Sequence, residues 1–142
     1  MAAKAQTGKV TYTARTHTTG GRDHGVSRSS DGHLDVRLAT PGSARIGTNP
    51  EQLFAAGWSA CFGSAISLAA RKSQVALGEV TIDAEVDLHL ADGTDYFLSA
   101  RLTISIPGVD HTVAQNLVQQ AEHLCPYSKA TRGNIGLTFN VL

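Results

Sequence analysis

Net charge is the first thing the chain lacks. Twelve Lys and Arg residues balance twelve Asp and Glu over 142 residues. Without a basic excess there is no electrostatic footprint for nucleic acid or for an anionic membrane surface. Cysteine is scarce too, with only Cys61 and Cys125, and neither CxxC pairs nor Cys/His clusters are there to build a zinc site. A long apolar run is also missing. The nearest candidate, AAGWSACFGSAISLAA over 55–70, is interrupted by serines and glycines and flanked by Arg71 and Lys72, short of the roughly 18 consecutive apolar residues of a membrane span. The opening MAAKAQTGKVTYTART holds no continuous apolar segment of the secretory kind. No internal repeat, long linker or low-complexity tract divides the chain. These absences predict one cytoplasmic domain over 1–142, long enough for a real core.

What is present alternates between two periods. Residues 8–15, GKVTYTAR, alternate as a strand does, with Val10, Tyr12 and Ala14 on one side. The Gly-, Ser- and Asp-rich stretch 18–32 reads as a loop, 33–39 alternates again, and 40–50 is a second loop. Asn49 before Pro50 is biased to the extended backbone of a helix N-cap, and Pro50 suits the first helical position. Glu51 then stands where the helix dipole favours a carboxylate. The helix is expected to run to about Ser73, with Gly57 a candidate break. Because both its faces are apolar or small, it belongs at the centre of the protein. Residues 79–90 and 96–106 alternate cleanly around ADGTD and predict a hairpin. Asp110 caps a second helix that Pro126 stops, and 134–142 is a last strand. The sum is an α+β domain, antiparallel strands packed around one central helix.

Phe54, Trp58, Cys61, Ala65 and Leu68 recur at spacings of four and three, which puts Cys61 on an apolar stripe. Ala114, Leu117, Val118, Ala121, Leu124 and Cys125 form a similar stripe on the second helix. Helices packed through small residues lie about 8–10 Å apart, which permits a Cys61–Cys125 bond without establishing it. From the pattern alone three options stand: two inert thiols, one reactive thiol, or a redox pair. A thiol in apolar surroundings is unreactive unless a cation lowers its pKa. Arginine suits that task because it keeps its charge when partly buried. On sequence alone, though, Arg22 reads as a solvated side chain, Glu51 as a first-turn acid and Cys125 as a helix-end packing residue. The six histidines are scattered, and His123 is two positions from Cys125 on a helix, so it faces another side and gives no Cys–His hydrolase.

TNPEQLFAAGWSACF around Cys61, CPYSKATRGNI from Cys125 and TGGRDHG with SSDGHLDVRLATPG over 19–42 closely resemble the organic hydroperoxide resistance proteins (Ohr) of the wider OsmC/Ohr family. The likeness runs over nearly the whole chain. It departs at Trp58, where the family commonly has tyrosine, and at Lys129, where asparagine is usual. The resemblance implies an OsmC-like fold and an intertwined homodimer with active sites at the subunit interface. It implies that Cys61 is the peroxidatic cysteine, Cys125 the resolving one, and Arg22 with Glu51 the activating pair. It further implies organic hydroperoxides, fatty-acid ones included, as substrates, a lipoyl dithiol (dihydrolipoamide or a lipoylated protein) as reductant, and no metal or bound cofactor.

The residue types agree with that chemistry. Thiolate attack on a peroxide oxygen releases an alkoxide; Arg22 could lower the Cys61 pKa and donate hydrogen bonds to the oxygens, with Glu51 holding the guanidinium. The resulting sulfenic acid condenses with Cys125, and an external dithiol exchanges with the disulfide. Phe54, Trp58 and Leu68 would line an apolar wall, where each buried methylene is worth about 0.8 kcal/mol. Two other readings stay beside this one: an OsmC-type peroxidase with different peroxide preference, and a non-enzymatic thiol redox sensor or apolar-ligand-binding dimer.

Overall fold

The computed structural model describes residues 6–142, so the first five residues of the N-terminal stretch read above lie outside the described residues. Two compact units divide between Asn49 and Pro50.

In the first unit, β1 (Thr16–Thr19), β2 (Val26–Ser29) and β3 (Asp35–Arg37) form an antiparallel sheet in that order. Two features differ from expectation. Residues 8–15 form no strand; Val10 and Tyr12 are exposed, and strand pairing begins at Thr16↔Ser29. Alternation supplies a face, but a strand also needs a neighbour to bond. The Gly-rich stretch, in turn, is not all loop: it holds β2 and a single helical turn, α1 (Gly21–His24). That turn fits between Gly20, at φ +76°, and Gly25. A Cβ on Gly25 would run into the Gly21 carbonyl oxygen and come within 2.5 Å of the Thr19 carbonyl oxygen, so only glycine closes the turn. Arg45 braces it from outside, donating from Nη2 to the Gly25 carbonyl at 3.1 Å and from Nε to the Leu38 carbonyl at 2.8 Å.

The second unit is built on α2 (Pro50–Lys72), which starts at the expected proline and runs unbroken through Gly57. By length and composition this helix could cross a membrane. Here it is a core helix, because Trp58, Phe62, Ala65, Ile66, Ala69 and Ala70 are buried inside the unit. The hairpin β4 (Thr81–Ala91) and β5 (Asp95–Ser105) forms as read, paired from Thr81↔Ser105 to Ala91↔Asp95. Its turn uses Asp92 and Gly93, both at positive φ, as an Asx-Gly turn does. Leu102 and Ile104 point from β5 into the core with no exposed surface. The last strand, β6 (Gly136–Val141), runs parallel to β5 rather than antiparallel. The helices α3 (His111–Leu124) and α4 (Pro126–Thr131) fill the connection between β5 and β6, and a crossover of that kind is what a parallel pair requires. Pro126 does end α3, but it also opens α4 at the first position, where a missing N–H costs nothing.

Candidate functional site

Cys61 is half-buried on α2, and Cys125 has no exposed surface at the α3–α4 junction. The α3 stripe holds, with Ala114, Leu117, Val118 and Ala121 buried, but on α2 only Trp58 and Ala65 of the expected stripe are buried, and the buried line runs on through Phe62, Ile66 and Ala69 with Cys61 partly exposed beside it. The unit brings the two thiols, both reduced, close enough for Cys125 to bear on the acidity of Cys61. A third group joins them. The backbone N–H of Tyr127 lies near the Cys61 sulfur and favours its ionised form. Pro126 carries no N–H, so Tyr127 offers the first backbone donor of α4, whose first-turn donors have no partner inside the helix.

These groups set the thiol's acidity. Burial pushes the Cys61 thiol above its ordinary range, the Tyr127 N–H pulls it down, and the neighbouring Cys125 pushes it up again. An ordinary thiol is only a few per cent ionised at pH 7, and Cys61 lies on the unreactive side of that. Activation therefore needs positive charge beyond what these neighbours supply.

Glu51 stands in the first turn of α2. Since Gly57 does not break the helix, the ten residues from Glu51 to Cys61 amount to about 15 Å of rise, which closes the route to direct contact. Arg22 lies in α1, in the other compact unit. Its neighbour Asp23 accepts a 2.6 Å hydrogen bond from the Thr40 hydroxyl, so Asp23 anchors the turn. His123 is exposed and donates Nδ1–H to the Gln119 carbonyl of its own helix at 2.9 Å.

Phe54 and Leu68 are half-buried, whereas Trp58 is 0% exposed. As an element of an apolar wall, then, Trp58 needs correction: it stands behind Phe54, edge to face at 5.6 Å between ring centres. Its Nε1–H donates to the Ser128 hydroxyl at 3.2 Å in a buried contact. Tyr127 and Ser128 were missed in the sequence. The signal was there in CPYS, where a proline after an apolar stripe reads equally well as the start of a new helix. Among the described residues, no group of three or more His, Cys, Asp or Glu could hold a metal ion.

A long core helix against a three-stranded sheet has known counterparts. Residues 40–140 match the family model described as OsmC-like protein, and the chain belongs to the OsmC-like family. It is 46% identical over 138 residues to an organic hydroperoxide resistance protein of Xanthomonas axonopodis pv. citri, covering 94% of this chain and 96% of that one. It is 44% identical to OhrA of Bacillus subtilis, covering 92% and 95%. The crystal structure of OhrB of B. subtilis superposes with a TM-score of 0.85 at 37% identity, over 94% of this chain and all of that one. Within the OsmC-like family, the chain falls among the organic hydroperoxide resistance proteins.

Proposed function

We propose that this protein detoxifies organic hydroperoxides, fatty-acid ones included, as a cysteine-based reductase. Cys61 attacks the peroxide, its sulfur taking one oxygen while the other leaves as the alcohol. Cys125 then condenses with the sulfenic acid, releasing water and forming a disulfide. A lipoyl dithiol exchanges with that disulfide and restores both thiols. Arg22 supplies the cation that the Cys61 environment lacks, and Glu51 orients the guanidinium. Phe54 and Leu68, backed by Trp58, offer apolar surface to the alkyl chain.

The observation that carries this reading is the pair of neighbouring reduced thiols, one partly exposed and the other sealed. Exposure suits the sulfur that meets substrate, and burial suits the one that waits. The names of the relatives support the substrate class. A homodimer belongs to the same reading, supported by exposed Val10, Tyr12, Leu90 and Tyr96, which a second copy would cover.

The test mixes reduced protein with cumene hydroperoxide and dihydrolipoamide and follows peroxide loss. Turnover that vanishes in Cys61→Ser is expected. Arg22→Ala should slow the first step about a hundredfold with the fold intact, the scale of one lost transition-state donor. Stoichiometric oxidation without turnover would make the protein a redox sensor, and wild-type oxidation rates in Arg22→Ala would remove Arg22 from the mechanism.

A further inference from the structure

Three contacts seat α4 on α2, side by side. The Tyr127 ring lies over Gly57, so closely that a Cβ there would come within 2.7 Å of the phenol oxygen. One residue along, the Trp58 indole N–H holds the Ser128 hydroxyl. One turn further along α2, the Cys61 sulfur lies near the Tyr127 N–H and the Cys125 thiol, both of which bear on its acidity. Trp58 precedes Cys61 by three residues and Ser128 follows Cys125 by three, so the indole–hydroxyl bond crosses the same interface as the sulfurs, offset by one helical turn. Trp58 and Cys125 are 0% exposed and Ser128 2%. An indole only donates, so in that bond Ser128 accepts.

We propose that Trp58 is a positioning residue for disulfide formation: by holding Ser128 it keeps the α3–α4 junction docked, and the Cys125 thiol meets the Cys61 sulfenic acid before a second peroxide does. The inference rests on the thiol chemistry proposed above and deepens it. Two fates compete for the sulfenic acid. In ring closure the Cys61 S–O bond breaks, the S–S bond forms, and the hydroxyl leaves as water with the Cys125 proton. In over-oxidation a second hydroperoxide gives up an oxygen to the same sulfur, leaving a sulfinic acid and an alcohol. A junction that undocks part of the time loses Cys125 from the first path and leaves the second untouched.

The experiment titrates reduced wild type, Ser128→Ala, Trp58→Phe and the double variant with cumene hydroperoxide. Mass spectrometry of the intact chain separates disulfide from sulfinic acid. Ser128→Ala should consume the first equivalent at a rate within about twofold of wild type. Loss of one buried hydrogen bond is worth about tenfold, so ring closure should slow by that factor and sulfinic acid should appear at about tenfold lower peroxide. Trp58→Phe should shift the partition equally, and the double variant no further, because both changes cut one bond. Ile104→Val, in the core on β5 and outside α2, α3 and α4, loses stability and should leave the partition at the wild-type value. A wild-type partition in Ser128→Ala overturns the inference, and so does an equal shift in Ile104→Val. Should Trp58→Phe not fold, Ser128→Ala alone decides. A wild type that forms no disulfide at all refutes the thiol mechanism instead.

Discussion

Removing the Cys125 thiol should make the Cys61 thiol more acidic. Cys125 pushes the Cys61 pKa up, both as a neighbouring thiol and through its own charge when ionised. In Cys125→Ala both influences go. Burial, the largest cause, and the Tyr127 N–H both remain, so the titration moves part of the way down. Any influence of Arg22 is common to both proteins and cancels in the comparison. Stability falls at the same time. Cys125 is wholly buried among Leu117, Val118 and Ala121, and deleting its sulfur costs about 1–2 kcal/mol in transfer and cavity terms, a drop in Tm of about 3–7 °C for a chain of this size. The assay is the rate of Cys61 alkylation by iodoacetamide against pH, on reduced protein below the transition temperature. The expected result is a lower midpoint and faster alkylation at pH 7 in the variant, although the protein as a whole is less stable. An equal or higher midpoint would refute the account of what sets the acidity of Cys61.

Gly25→Ala should disable the Arg22 turn without touching the thiols. The added Cβ meets two backbone carbonyls, which cannot swing aside as a side chain can, so peroxide consumption should fall by at least tenfold, about the loss of a 1.4 kcal/mol interaction; unchanged consumption would show that the turn does not matter. Alkaline stability supplies the other check, in an Arg22→Ala background where neighbours alone set the thiol. There the folded pKa of Cys61 exceeds the unfolded one, so the thiol's stabilising contribution is full below about pH 8.5 and is lost as pH rises through the folded pKa. The denaturation midpoint, relative to Cys61→Ala in the same background, should decline above that pH; a midpoint that climbs would mean the folded chain prefers the thiolate.

What could be read from the residues was local. Asn49–Pro50 and Asp110 marked where α2 and α3 begin, and the alternation across ADGTD gave β4 and β5 with the turn at Asp92–Gly93. Each of those signals is complete within a few residues. The direction of β6 is not, because LTFNV alternates the same way whichever neighbour it joins, and only the intervening helices make it parallel to β5. The 8–15 segment fails for the same reason: its face is encoded, its pairing partner is not. At the site, the α3 stripe placed Cys125 in the core, since a stripe states which way a side chain points, whereas on α2 the buried line runs through Phe62, Ile66 and Ala69 and leaves Cys61 partly exposed beside it. The acidity of Cys61 was beyond reach, because it depends on a backbone N–H that carries no sequence identity at all.

Gly57, Trp58 and Pro126 show what that limit means for the chemistry. Read singly, Gly57 is a helix break, Trp58 a wall for substrate and Pro126 a stop. In the folded unit each serves the docking of one short helix. Gly57 clears room for the Tyr127 ring, Trp58 holds Ser128, and Pro126 starts α4 so that the next N–H is the one that reaches Cys61. A glycine in mid-helix sacrifices roughly 1 kcal/mol of helix propensity. The edge contact of Tyr127 with Phe54, 6.2 Å between ring centres, returns a similar amount, about 0.5–1.5 kcal/mol. Gly57 thus leaves stability nearly unchanged, and what it secures is position. Two sulfurs from segments more than sixty residues apart in sequence, which the proposed reaction brings within bonding range, need that more than they need stability.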